Sequence, residues 1–94
     1  MIIRPEAEAD LVSARAWYER QREGLGAALV LCVEEVLERI GRTPEMYTAV
    51  YHDIRRALTR RFPYAVYYRI AGNEVVVLGI LHTHRDPHEW QSRA

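Results

Sequence analysis

Ile54-Arg55-Arg56-Ala57-Leu58-Thr59-Arg60-Arg61-Phe62-Pro63-Tyr64-Ala65-Val66-Tyr67-Tyr68-Arg69-Ile70 holds five arginines with four aromatics threaded among them. Pro63 interrupts the run, so it reads as two strands, over 54–61 and 64–70, joined at Phe62-Pro63-Tyr64. Successive side chains of a strand point to opposite faces. Tyr64 and Tyr68 share a face with Val66 and Ile70 and are expected in the core. Tyr67 shares the other face with Arg69 and is expected at the surface. In the first strand the arginines stand at both odd and even positions, which predicts a bulge or an edge exposed on both faces.

Downstream, Ala71-Gly72-Asn73-Glu74 has the composition of a tight hairpin turn. A third strand follows over 75–84, with apolar residues at both parities, as in a strand buried on both sides. Asp86-Pro87 then opens a short terminal turn over 88–93. Upstream, Ile2 and Ile3 precede Pro5, and residues 1–4 read as a short strand. A first helix is predicted over 5–22, with Ala7, Leu11, Ala14 and Tyr18 as its apolar stripe and Trp17 beside it. Glu23-Gly24-Leu25-Gly26 breaks that helix, with Gly24 as a left-handed cap. A second helix, over 25–40, buries Leu25, Leu29, Cys32 or Val33, Val36 and Ile40, and Gly41 with Thr43-Pro44 ends it. The order is βααβββ plus a terminal turn. It implies an α+β fold, a helical hairpin on one face of a largely antiparallel four-stranded sheet, in a single domain over 1–94.

The 94 residues carry thirteen arginines, no lysine and thirteen acids, a net charge of zero. The charge is unevenly spread: residues 1–45 hold nine acids and six arginines, and residues 46–94 hold four acids and seven arginines. A basic sheet half beside an acidic helical half points to a negatively charged partner on the sheet side. Cys32 is the only cysteine, so no intrachain disulfide or thiol metal cluster is expected. The N-terminus has no signal-peptide core, and no apolar run reaches membrane-spanning length. A cytoplasmic protein is the expectation.

Arg55, Arg56, Arg60, Arg61, Arg69 and Arg85 can grip phosphates or the acidic tail of a protein partner, or can form a solvated face paired with the acids of the second helix. The tyrosines can stack on bases or pack in the sheet. His82 and His84 stand on one side of a strand, with His88 beyond. Two such histidines can ligate a metal or supply a general acid–base. Only His52, Asp86 and Glu89 could complete a metal site, and no metal or other cofactor is expected. Trp90 either anchors the terminal turn or borders a groove, and the anchor is favoured. No nucleophile elbow and no Gly-rich phosphate loop is present.

Taken in order, several strings resemble the RelE/ParE superfamily of toxins from bacterial type II toxin–antitoxin systems. They are Pro5-Glu6-Ala7-Glu8-Ala9-Asp10-Leu11, Trp17-Tyr18-Glu19, Gly24-Leu25-Gly26, Arg55-Arg56-Ala57-Leu58, Arg61-Phe62-Pro63-Tyr64 through Tyr68-Arg69, and His82 through Arg85-Asp86-Pro87 to Trp90. They look most like the ParE-like, or plasmid stabilisation, branch. The resemblance implies a small toxin silenced by a cognate antitoxin whose C-terminal segment wraps it, commonly across the helical hairpin and the sheet, in a toxin–antitoxin hetero-oligomer. The partner-binding residues expected are Arg55, Arg56, Arg60, Arg61, Tyr67, Arg69, Arg85 and Trp90.

The superfamily contains two mechanisms. RelE-like members cut mRNA in the ribosome with cationic side chains and a terminal Tyr or His. ParE-like members lack that set and poison DNA gyrase. Placed on the RelE-like pattern, Arg56 and Arg85 stand where catalytic cations are expected. Ala65 stands where a third cation is expected, and Trp90 and Gln91 where a tyrosine is. An indole cannot exchange that proton, although His82, His84 or His88 could take its place. The departures lean to gyrase as the target, with the ribosome and mRNA as the alternative and a non-toxic binding module as a third reading.

Overall fold

The structure, a computed structural model, describes residues 1–94. Strand β1 (Ile2–Ile3) leads into helix α1 (Pro5–Gln21). Pro5 occupies the first turn, where its missing N–H costs no hydrogen bond, and Glu6 and Glu8 favour the positive end of the helix. Arg22 is extended and ends α1. Gly24, at φ 87°, takes the left-handed conformation expected of it, but as the N-cap of α2 (Leu25–Arg42) rather than the cap that ends α1. The Glu19 carboxylate accepts from the N–H groups of Gly24 (2.9 Å) and Gly26 (3.0 Å), which ties the end of α1 to the start of α2. α2 passes through Gly41 to Arg42, supported by the Glu38–Arg42 pair one turn apart. Pro44 then turns the chain into a 3-10 turn over Pro44–Met46. No helix is long and apolar enough to cross a membrane.

The sheet has five strands rather than the four expected, in the order β1-β5-β4-β3-β2. The extra one is β2 (Ala49–Tyr51), joined to β3 (Ile54–Leu58) through His52 and Asp53. Three residues are too few for alternation to reveal a strand. β4 (Tyr64–Ala71) and β5 (Glu74–His82) complete the sheet. All neighbours are antiparallel except β1, which runs parallel to β5.

β3 ends at Leu58, short of the expected 61. The Thr59 hydroxyl donates to the carbonyls of Phe62 and Tyr64, and Arg61 sits at φ 68°. Arg60 and Arg61 are therefore turn residues. β3 pairs with β4 in unbroken register from Arg55 to Leu58, so β3 itself holds no bulge there. The bulge of the central pair lies in β5 instead. Tyr67 pairs with Gly79 and Tyr68 with Val77, leaving Leu78 as the extra residue. β5 stops at His82, and Thr83 and His84 lie in a turn.

Two cores form, one on each face. On one, Val66, Tyr68, Val75, Val77 and Ile80 meet Ala7 and Ala14 of α1 and Leu29, Val33, Val36 and Ile40 of α2. On the other, Ile54, Ala65, Tyr67, Leu78 and Leu81 lie beneath Trp90. Trp90 belongs to α3 (Pro87–Gln91), whose first turn is capped by the Asp86 carboxylate accepting from His88 N–H at 3.0 Å. β5 is buried on both faces, as its apolar run predicts.

Candidate functional site

Tyr67 is not at the surface. Its ring stacks on Trp90 at 4.4 Å between centroids, with Tyr51 edge-on to Trp90 at 6.2 Å, and only 2 % of Tyr67 is exposed. Strand alternation places Tyr67 on the face away from the helical hairpin, but α3 has closed that face. Trp90 is buried too, as the anchor reading predicts. Neither ring can meet a partner while α3 stays in place. Ala65 is fully buried in the same cluster, so a larger side chain at that position would have to displace its neighbours.

Tyr68 is fully buried, and Tyr64 is partly buried against the helical core. Tyr68 donates its hydroxyl to the Pro44 carbonyl. Burial pushes both phenols above their ordinary range.

Three of the candidate arginines are already engaged. Arg55 donates to the carbonyls of Glu45 (2.9 Å) and Tyr47 (2.6 Å) and so holds the chain entering β2. Arg69 lies 3.8 Å from Asp53. Arg85 grips Glu89 with two donors, Nε at 2.7 Å and Nη2. That hydrogen bonding holds Glu89 below and Arg85 above their ordinary values. A further arginine, Arg93, bonds both oxygens of Asp10 (2.6 and 3.2 Å) and the Leu78 carbonyl (3.0 Å), and Asp10 also accepts from Ile80 N–H at 3.0 Å. Gly79 makes room for this latch, because a Cβ there would stand 2.9 Å from Arg93 Nη1. Sequence reading missed the latch. Its signal was Asp10 at helical spacing between Ala7 and Ala14, a charge on the buried stripe that needed a partner.

Arg56, Arg60 and Arg61 make no ion pair within the chain. Arg61 stacks at 5.6 Å over Phe62. Arg60 and Arg61 border a groove of ≈ 760 Å³ whose other wall is α2, with Ala28, Leu31, Cys32 and Glu35. Leu31 is 63 % exposed there. Arg56 borders a second hollow of ≈ 400 Å³ at the sheet edge, with Met46, Val50 and Leu58. Both hollows set guanidinium groups beside exposed apolar side chains. The first straddles helix and sheet rather than lying on the sheet side alone.

Of the candidate ribonuclease residues, Arg85 and His82 both border Tyr64 and His84 packs on His82, whereas Arg56 stands apart from them. Arg56 lies opposite Tyr67 on the face away from the hairpin. Arg85 borders a separate cleft of ≈ 310 Å³ with Asp10, Ser13, Trp17 and Tyr64. His82 packs on Tyr64 at 5.5 Å and on His84 at 5.3 Å. His52 sits in the β2–β3 turn against Tyr51. No three His, Cys, Asp or Glu side chains converge as metal ligands.

Residues 1–87 match the family model described as "ParE toxin of type II toxin-antitoxin system, parDE". A solved structure described as "Chromosomal ParDE TA system from P. aeruginosa" is similar in fold, with a TM-score of 0.76 and 18% sequence identity. That likeness covers 87% of this chain and 95% of the other. No curated protein sequence matches.

Proposed function

This chain belongs to the ParE toxin family of type II toxin–antitoxin systems, and from that premise we propose that it arrests growth by binding DNA gyrase and is silenced by a cognate antitoxin. The observation that carries the choice of target is the dispersal of the cations a ribonuclease would use. Arg85 is committed to Glu89, Arg56 stands on another face, and the Ala65 position is sealed beneath Trp90. RNA cleavage needs donors converging on one phosphate and an acid–base within reach of the 2′-hydroxyl. Binding to a protein target makes no such demand.

The two hollows that flank the free arginines suit an antitoxin segment that is acidic on one side and apolar on the other. Carboxylates would reach Arg60, Arg61 and Arg56, and apolar side chains would cover Leu31 and Leu58. The similar solved structure is described as a ParDE system, which supports a partner of that kind.

Induction of the chain in cells without the antitoxin tests the reading. Growth arrest with SOS induction and accumulated gyrase–DNA cleavage complexes is expected. Codon-positioned breaks in translated mRNA would move the protein to the RNA-cleaving mechanism. Unimpaired growth with folded protein present would leave only a non-toxic binding module.

A further inference from the structure

α1 has two apolar faces, and only one is used. Ala7, Leu11, Ala14 and Tyr18 pack inward. On the outside, Val12 is 67% exposed, and Ala9, Ser13 and Ala16 are exposed beside it. The outer side of a surface helix ordinarily carries charged and polar residues. Here charge stands at the two ends of the face, Glu6 near the N-terminus and Arg20 near the C-terminus. Both are exposed, and neither forms an ion pair within the chain. At 3.6 residues per turn, Glu6, Ala9, Val12, Ser13, Ala16 and Arg20 fall within about a third of the helix circumference.

We propose that this face binds the same face of a second copy of the chain, with the two α1 helices antiparallel about a two-fold axis beside Val12 and Ser13. Glu6 of each copy then meets Arg20 of the other, Ala9 meets Ala16, and Val12 and Ser13 meet at the axis. The face is self-complementary in the sense an isologous contact requires: read from either end it presents a charge, a small residue, the central pair, a small residue and the opposite charge. Ala9 and Ala16 let the helices approach to about 8 Å, the close end of helix packing. A parallel arrangement would set Glu6 against Glu6 and Arg20 against Arg20, so charge selects the antiparallel one. The surface is separate from the grooves assigned to the antitoxin and stands whether or not gyrase is the target.

Sedimentation equilibrium of the full chain, freed of its antitoxin, tests the contact by reciprocal charge reversal, with circular dichroism reporting that each variant is folded. The wild type is expected to dimerise reversibly. Glu6→Arg and Arg20→Glu are each expected to weaken the dimer by about tenfold or more, because both copies of the ion pair become repulsive. The double variant carrying both reversals, and an equimolar mixture of the two single variants, are expected to recover dimerisation. In the mixed dimer the arginine introduced at position 6 of one copy faces the glutamate introduced at position 20 of the other. The unchanged Arg20 and Glu6 of the two copies likewise face each other. Ser13→Cys is expected to form an intermolecular disulfide on mild oxidation, since its two copies meet at the axis. A wild type that remains monomeric up to about 1 mM overturns the proposal. So does a dimer indifferent to the single reversals, or a mixture that fails to recover. Monomeric chains whose antitoxin binding is lost on charge reversal would assign the face to the antitoxin and likewise overturn it.

Discussion

The carboxylate of Glu19 shows how one side chain sets a fold feature. It holds two N–H groups at the turn between α1 and α2, and those hydrogen bonds lower its pKa below the ordinary value of 4.5. A carboxyl group depressed in the folded state contributes stability above its unfolded pKa and loses it as pH falls through the folded one. Thermal denaturation from neutral pH into acid should therefore show Glu19→Gln less stable than wild type at neutral pH, with the gap closing as the carboxyl group protonates. At the candidate site, Arg56→Ala and Arg85→Ala should leave toxicity within a few-fold of wild type in a growth assay, since loss of a stabilising cation in RNA cleavage would cost about a hundredfold or more. The residue-level reading of the sequence succeeded for Tyr68 and failed for Tyr67 for a single reason. Alternation reports which face a side chain takes, and says nothing of what covers that face. Tyr67 was legible as outward from the hairpin, while its burial depends on Trp90, twenty-three residues later.

Among the elements, both helices, the β4–β5 hairpin and the doubly buried β5 were legible because their periodicities run over many residues. β2 was not, being three residues long, nor was the early end of β3, where Thr59 side-chain bonds rather than a loss of apolar pattern turn the chain. The role of α3 was half legible: Trp90 announced an anchor, but the five-residue helix is also the lid of the second core. Trp90→Ala should destabilise the protein by about 3–5 kcal/mol, as for loss of a large buried aromatic. In chemical denaturation it should lower the midpoint, and it should raise binding of an apolar dye to the uncovered sheet face. The groove between α2 and the β3–β4 turn was invisible in the sequence, because it needs Leu31 and Arg60 in one place. Arg60→Glu with Arg61→Glu should weaken antitoxin binding by about tenfold or more by titration calorimetry, since each guanidinium–carboxylate contact turns repulsive.

For the molecule as a whole, the split between an acidic first half and a basic second half was readable from the start, but its meaning changes in three dimensions. Arg55, Arg69, Arg85 and Arg93 are spent on internal contacts, and Arg60 and Arg61 remain free where helix and sheet meet. The protein is a type II toxin–antitoxin toxin, and in the function proposed for it the folded surface, rather than an assembled catalytic site, does the damage. A DNA supercoiling assay with purified toxin and gyrase measures this without intermediaries. Supercoiling should fall with increasing toxin, cleavage complexes should accumulate, and prior addition of antitoxin should prevent both. Undiminished supercoiling at a large excess of folded toxin would contradict gyrase as the target.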